Sequence, residues 1–398
     1  MKICLITETL DVGGAETFVV RLANALSHQH EVILVNIWPH KSRQAVADQV
    51  VAAVKLIGIQ VPMRWVLQKS DAVLRKAKID FSFTDGYITR TLAGIIAKEK
   101  PDAIHTHLFN PDWYIARLKK DFTFRQVTTC HGDYLMYEKA PPVFLLNYTR
   151  KRNFIFDKLD AFVAISDVQL RWITSGVQHT HHIPPVHKIL NGYSSASFTA
   201  RTRAQLGIPE DALVFGMVSR GIREKGWQFL IDAFLQNAAA DSYLVLVGEG
   251  PEIDRLKAEH SAQQNILFIG YAERPIEYIS LFDVGMLPSV YRGESLPTVI
   301  IEYLYCGKPV IATDVGEIKK MISYGDHEPA GDIIACPDLN IDLPALAAAM
   351  LRYSNRAYLA QKAGHTQEAF RKFNMESCTD RYLALYNGSA EPNAPNVN

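Results

Sequence analysis

Cysteine is scarce and shows no pairing pattern. Five residues (Cys4, Cys130, Cys306, Cys336, Cys378) are scattered through 398 positions. That usage argues against a disulfide framework and predicts buried thiols in a reducing cytoplasm. Long apolar runs are missing too: Ile3-Cys4-Leu5-Ile6 gives way at once to polar residues. The run is too short for a signal sequence or a membrane span. No D-x-D triplet occurs, so no carboxylate pair for gripping a metal–diphosphate is visible, and no metal is expected. The pair Gly13-Gly14 lacks the G-x-G-x-x-G spacing of a dinucleotide fold, which discounts a dehydrogenase. No hydrolase triad signature, repeat, low-complexity tract or heptad stands out. The formal net charge is zero, so the total indicates no polyanionic partner and no nucleic acid.

Charge distribution is more informative. Residues 1–190 carry 24 Lys and Arg against 17 Asp and Glu, and the remainder carries 18 against 25. A basic first half suits an anionic membrane or a phosphorylated acceptor, and two unequal domains with no such role account for it as well. Length alone favours two domains. Lys2 to Ile6 reads as a buried strand, a helix follows Gly13-Gly14, and Glu31 to Ile37 reads as a second strand. This βαβ unit predicts a parallel sheet. Gly13-Gly14 lets a backbone approach a ligand closely, or is simply a tight turn. Segments 63–77 and 86–99 read as helices. The first carries the basic cluster Lys69, Arg75, Lys76 and Lys78. Arg125 to Thr129 reads as a strand ending at His131, and the carboxyl end of a parallel strand faces the ligand crevice of an open α/β sheet.

A helix over 147–157 mixes Arg150, Lys151 and Arg152 with Phe154, Ile155 and Phe156. Packing within its own domain is favoured over a bilayer surface by about two to one. His179, His181, His182 and His187 crowd a Pro-containing loop without zinc spacing and read as surface residues. The βα rhythm restarts after Asn191. Loops at Ser219 to Gly226, Gly248 to Pro251, Gly270-Tyr271 and Pro288 onward then leave the carboxyl ends of successive strands.

The densest stretch is Gly293 to Thr313. Pro297 suits a helix start, Gly307 a helix end, and Val310-Ile311-Ala312 a buried strand. Glu294 precedes the helix and Glu302 lies inside it. The free N–H groups near Thr298 and Val299 form an anion seat. A phosphate between two carboxylates requires a ligand that also offers hydroxyls, as a nucleotide sugar does. A solvated Glu294 and a helix-surface Glu302 explain the pair equally well.

Taken together, Gly13-Gly14, His131, Asn191-Gly192, Arg220 with Lys225-Gly226, Gly248-Glu249-Gly250 and the E-x7-E run from Glu294 resemble group 1 (family 4) retaining glycosyltransferases. The resemblance covers nearly the whole chain. It implies an α/β fold of two Rossmann-like parallel-sheet domains facing a central cleft (GT-B). The implied domains are an acceptor-side domain over 1–190, a nucleotide-sugar domain over 191–372, a helix over 373–388 returning to the first domain, and a disordered tail over 389–398. It implies that Arg220 and Lys225 neutralise the donor diphosphate, that Glu302 takes ribose hydroxyls and that Glu294 takes sugar hydroxyls. The loop Ser295-Leu296-Pro297 and the N–H groups of Leu296, Thr298 and Val299 would serve phosphate and sugar. Gly13 and Gly14 would close over the diphosphate, and His131 would contact the sugar. Gly248, Gly250, Gly270 and Tyr271 would hold the base. Ser295 and Leu296 stand where many members have Gly and Phe, and Thr298 replaces a frequent Asn.

The expected activity is retaining, metal-independent transfer from a nucleotide-diphosphate sugar, UDP over GDP, to a glycan, lipid-linked or other hydroxyl acceptor. It would serve cell-surface polysaccharide synthesis in the cytoplasm, with peripheral contact at the inner membrane surface and no cofactor. The alternatives are a nucleotide-sugar epimerase or phosphorylase of the same fold, or a non-catalytic sugar-nucleotide-binding subunit.

Overall fold

The computed structural model describes residues 1–391 except Val12, residues 140–146, Ala196, Ala238, Ala240 and Asp326. The chain forms two compact units, Met1–Gly192 with Met375 onward, and Tyr193–Asn374. Of the expected tail over 389–398, residues 392–398 lie outside the described residues. Of its first three positions, Ser389 and Ala390 hydrogen-bond to the Ala384 carbonyl, so they continue ordered structure.

The first unit is built on seven parallel strands: β1 (Lys2–Thr7), β2 (Glu31–Asn36), β3 (Val54–Gly58), β4 (Ala103–His107), β5 (Arg125–Cys130), β6 (Ala161–Ala164) and β7 (Val186–Lys188). Their order is β3-β2-β1-β4-β5-β6-β7. Its principal helices are α1 (Gly14–Leu26), α2 (Arg64–Lys76), α3 (Phe83–Glu99), α4 (Phe109–Ala116) and α5 (Tyr148–Phe156). Strand side chains alternate between faces, so Ile3 and Leu5 join one core with Phe18, Leu22 and Tyr382. Cys4 and Ile6 join the opposite core with Ile88, Leu92 and Ile115. Burial on both faces is why these strands read as nearly continuous apolar runs.

The second unit has six parallel strands: β8 (Leu213–Val218), β9 (Ser242–Val247), β10 (Ile266–Gly270), β11 (Val284–Leu287), β12 (Val310–Thr313) and β13 (Gly331–Ile334). They lie in the order β10-β9-β8-β11-β12-β13. Helices α6 (Trp227–Asn237), α7 (Pro251–Glu259) and α8 (Thr298–Tyr305) follow β8, β9 and β11. The last helix, α9 (Met375–Asn387), belongs to the first unit, where Tyr382 and Leu385 enter the core shared with α1.

Both sheets reverse direction of growth beside their first strand, between β1 and β4 and between β8 and β11. Such switch points open a crevice at the carboxyl ends of the strands. Three strands escape the sequence reading. β3 is an edge strand with exposed Lys55, Leu56 and Gly58, which blurs its apolar pattern. β13 is a short strand opening on Gly331. β7 corrects the histidine reading: His187 is buried within it and is not a surface residue.

Candidate functional site

In the second unit, the loop after β8 carries Arg220 into a single 3-10 turn over Arg223–Lys225. Gly226 then adopts φ +83, and a Cβ there would stand 1.8 Å from the Pro288 carbonyl oxygen. Only glycine allows that approach, and it seats Lys225 beside the loop after β11. Lys225 Nζ donates to Glu294 Oε2 at 2.5 Å, with the two side chains 9% and 7% exposed. Ser289 Oγ donates to the same Glu294 oxygen at 2.8 Å. Below them lies the Tyr291 ring, with Lys225 Nζ 5.1 Å and the Arg220 guanidinium 5.8 Å from its centroid. Arg220 itself is exposed.

The sequence reading assigned Lys225 to a diphosphate and Glu294 to a sugar. The structure joins the two directly. Ser289 and Tyr291 went unnoticed, although their place just after β11 was a signal.

Helix α8 begins at Thr298, with Pro297 as its extended N-cap (φ −64, ψ 116) and no side-chain cap or acidic residue in the first turn. Pro297 therefore stands one position earlier than the expected first helical turn. Its ring still presets the chain entering the helix. The first-turn amides keep the partial positive charge of an uncapped helix start. Ser295 and Leu296 lie on the loop before the helix, and half-buried Glu302 follows in its second turn. Gly307, at φ +71, ends the element, with Lys308 N–H bonding back to the Tyr303 carbonyl.

Neighbouring loops are tied to one another. Gly221 N–H donates to the Glu249 carbonyl at 2.8 Å, and Gly248 N–H to the Gly270 carbonyl at 2.8 Å. Gly250 precedes α7, and Tyr271 is exposed just past β10. One carboxyl edge thus gathers Arg220, Lys225, Gly248, Gly250, Gly270, Tyr271, Glu294 and the start of α8.

In the first unit, His131 leaves β5 beside the end of β4. Its Nε2 lies 3.1 Å from His107 Nδ1, and the two rings stack at 5.4 Å. His105, two residues earlier on the same face of β4, bonds Tyr386 through Nδ1 (2.7 Å) and Thr129 through Nε2 (2.8 Å). Thr129 reaches Tyr382 at 2.8 Å, so α9 completes the chain of contacts. Burial pushes the His131 imidazole down to about 4 and holds His105 and His107 well below the usual histidine range. All three are neutral at physiological pH.

Two carboxyls go the other way. Burial raises Asp112 and Asp133 to about 7 each. Asp133 Oδ2 accepts the Phe109 N–H at 2.5 Å, and Asp112 Oδ2 accepts Thr128 Oγ1 at 2.7 Å. The other oxygen of each is buried without a hydrogen-bond partner among the described residues. Glu8, at the end of β1, is raised by burial as well and accepts Asn110 Nδ2 at 2.8 Å.

Sequence reasoning found His131 and missed His105 and His107. Their i, i+2 spacing at a strand end was the available signal. Gly13 is the extended N-cap of α1 and Gly14 its first residue. A Cβ on Gly13 would stand 2.2 Å from Glu16 Oε2, so the chain's own carboxylate folds back over this turn. Among the described residues, no group of three or more His, Cys, Asp or Glu side chains could hold a metal ion.

Residues 12–192 match the family described as Glycosyltransferase Family 4, and residues 212–356 match Glycosyl transferases group 1. N-acetyl-alpha-D-glucosaminyl L-malate synthase of Bacillus anthracis is 26% identical over 313 residues, covering 74% of this chain and 77% of that protein. Lipopolysaccharide core biosynthesis glycosyltransferase LpsD of Rhizobium meliloti is 30% identical over 189 residues, covering 46% and 52%. Among solved structures, sucrose-phosphate synthase from Thermosynechococcus elongatus superposes with a TM-score of 0.72 at 21% identity, covering 97% and 98% of the two chains. HepE of Anabaena, in complex with UDP and glucose, gives 0.70 at 18% identity, covering 98% and 100%. Both likenesses concern the fold.

Proposed function

Because the chain belongs to the group 1, family 4 glycosyltransferases, we propose that it moves a sugar, with retention of configuration, from a nucleotide-diphosphate sugar to a hydroxyl acceptor. UDP is the favoured donor nucleotide, in keeping with the UDP bound in the Anabaena structure. The acceptor is a glycan or a lipid-linked sugar of cell-surface polysaccharide synthesis, in keeping with the lipopolysaccharide relative. The work takes place in the cytoplasm, against the membrane face.

The observation that carries this reading is the edge of the second unit where Lys225, Arg220 and the uncapped start of α8 meet Glu294. A departing nucleoside diphosphate gains charge as the bond to the anomeric carbon breaks. Preorganised cations and helix amides stabilise such charge far better than water does. Arg220 and Lys225 supply the cations without a metal. Glu294, already fixed by Lys225 and Ser289, turns its remaining acceptor capacity to sugar hydroxyls, and Glu302 takes the ribose. His131, held neutral, offers a hydrogen bond rather than a charge to the sugar.

In the reaction, the bond from the anomeric carbon to the phosphate oxygen breaks while the acceptor oxygen bonds the same face of that carbon. The acceptor's proton passes to the leaving phosphate oxygen. The products are the glycosylated acceptor and a nucleoside diphosphate. Glu294 and Glu302 are not an acid and a nucleophile flanking the bond, as in retaining glycosidases.

Thermal shift with a panel of nucleotide-diphosphate sugars identifies the donor, since a ligand of the native state raises the melting point. NMR of the product then reads the anomeric configuration. Retention is expected and unaffected by chelator; an inverted product overturns the mechanism, and loss of turnover in chelator overturns its metal independence.

A further inference from the structure

The first unit carries a face that the transfer chemistry does not use. Six large apolar side chains between positions 63 and 83 are exposed, out of seventeen among the described residues of the chain. Chance would scatter them, and single exposed apolar residues need no explanation, but a cluster does. Met63 (70% exposed) and Trp65 (66%) stand at the start of α2, Val73 lies two turns further along, and Phe81 packs edge-on against Phe83 at 4.9 Å.

Cations are interleaved with them. Lys69, Arg75, Lys76 and Lys78 are all exposed, and Lys69 Nζ sits 5.2 Å from the Trp65 ring centroid. Asp71 is the one acidic residue from 63 to 79, and it points inward. Its carboxylate accepts from Ser82 Oγ and from the Phe83 and Thr84 N–H groups, fixing the start of α3. The outer surface of α2 is therefore left with positive side chains alone.

A second basic and aromatic segment joins this face. Arg150 and Lys151 of α5 both pair with Asp80, at 2.5 and 3.0 Å, and Asn147 donates to the same carboxylate. Two stretches some seventy residues apart in sequence thus meet just beyond α2.

We infer that this face, centred on Trp65, Lys69, Val73 and Lys76, docks the protein on an anionic lipid bilayer. A helix of low overall hydrophobicity, with exposed apolar residues and only cations on its outer side, lies in the headgroup plane. Trp favours that interface, and Lys and Arg reach the phosphates. No described helix is long and apolar enough to cross a membrane, so the contact is peripheral. A soluble polyanion would satisfy the cations but leave Met63, Trp65 and Val73 in water. A second copy of the chain would meet this face with equal positive charge.

The inference deepens the membrane-side reading above, and its test uses neither donor nor acceptor, so either can fail alone. The full chain is co-sedimented with phosphatidylglycerol-rich vesicles and with pure phosphatidylcholine vesicles. Binding to the anionic vesicles is expected to be at least about tenfold tighter, and to fall away in about 1 M salt, where the screening length is about 3 Å. K69E/K76E should lose at least about tenfold, given roughly fivefold per cation. W65S should lose several-fold and most of the tryptophan quenching caused by brominated lipid. Melting point and nucleotide-sugar binding should stay unchanged in both variants. Equal binding by parent and variants overturns the inference, as does an absence of preference for anionic lipid. Binding without Trp65-dependent quenching overturns lipid insertion, and a dimer dissociated by K69E/K76E assigns the face to a second copy instead.

Discussion

At the carboxyl edge of the first sheet, burial disfavours charge: His131 is pushed down to about 4 and Asp133 up to about 7. At the matching edge of the second sheet, Lys225 and Glu294 form an ion pair with almost no exposure, anchored by Ser289 and floored by Tyr291. The two edges arise from the same winding, a parallel sheet that reverses beside its first strand. Topology therefore places a crevice but leaves its electrostatics open. Polar groups brought in by neighbouring elements decide that, and the two units made opposite choices. An edge where burial disfavours charge suits uncharged hydroxyls, whereas an edge with cations and helix amides suits a leaving diphosphate.

Removing Lys225 breaks the comparison most severely. Lys225→Ala is expected to lower turnover about 10²- to 10³-fold, the usual loss when one preorganised charge-stabilising group is removed. It also strands a nearly buried Glu294, which costs about 3–5 kcal/mol of stability. The double variant K225A/E294A should recover much of that stability and none of the turnover. Steady-state kinetics and denaturant melts check both. A double variant as unstable as K225A would show that the ion pair is not the source.

His131→Ala acts at the other edge and should be milder, about tenfold in turnover, since it removes a neutral hydrogen bond. Because its imidazole is pushed down to about 4, the wild-type rate profile should carry no His131 inflection near pH 6.5. An inflection there that disappears in H131A would show that the ring titrates and acts as a charge.

The contrast also explains what could be read in advance. The second edge was legible because its parts are local in sequence: Glu294 and Glu302 eight apart, Gly307 and the β12 run close behind, and Gly226 right after Lys225. Even there the Lys225–Glu294 contact, 69 residues apart, was hidden, because each residue had a plausible ligand of its own. The first edge was nearly illegible. Its His105–Tyr386 bond spans 281 positions, and no spacing rule links a mid-chain strand to the final helix. The upward shift of Asp112 and Asp133 depends on how deeply they are packed, which no local pattern records. Strand β3 was missed for another reason: an edge strand has only one neighbour to demand apolar residues.

Asp133→Asn sharpens the electrostatic half of the comparison. A carboxyl raised from the usual ~3.9 to about 7 in the fold contributes stability that is present below pH ~4. That contribution is lost as pH rises through about 7. His131, depressed to about 4, contributes in the opposite sense, with stability lost as pH falls from about 6.5 toward 4. The variant removes only the first slope, and its amide oxygen can still accept the Phe109 N–H. The difference in melting point between variant and parent should therefore move in the variant's favour from about pH 4 to about pH 7 and level off above. A pH-independent difference would mean that Asp133 is already ionised at the low end.

The smallest expected effect isolates how the final helix supports the histidine row. Tyr386→Phe removes one hydroxyl and leaves His105 Nδ1, fully buried, without its partner at 2.7 Å. An unsatisfied buried group costs about 1–3 kcal/mol, and the value here should fall near 1, because Thr129 still holds Nε2. Tyr382 stacks on Tyr386 at 6.2 Å and lies tilted against His105 at 4.9 Å, so the ring positions survive the loss of the hydroxyl. On the proposed function, nucleotide-sugar binding belongs to the other unit and should not change. A modest loss of stability with unchanged donor affinity identifies Tyr386 as a positioning residue for the histidine row. If the melt is unchanged, the bond to His105 contributes nothing net, and the row is held by ring contacts and its remaining hydrogen bonds.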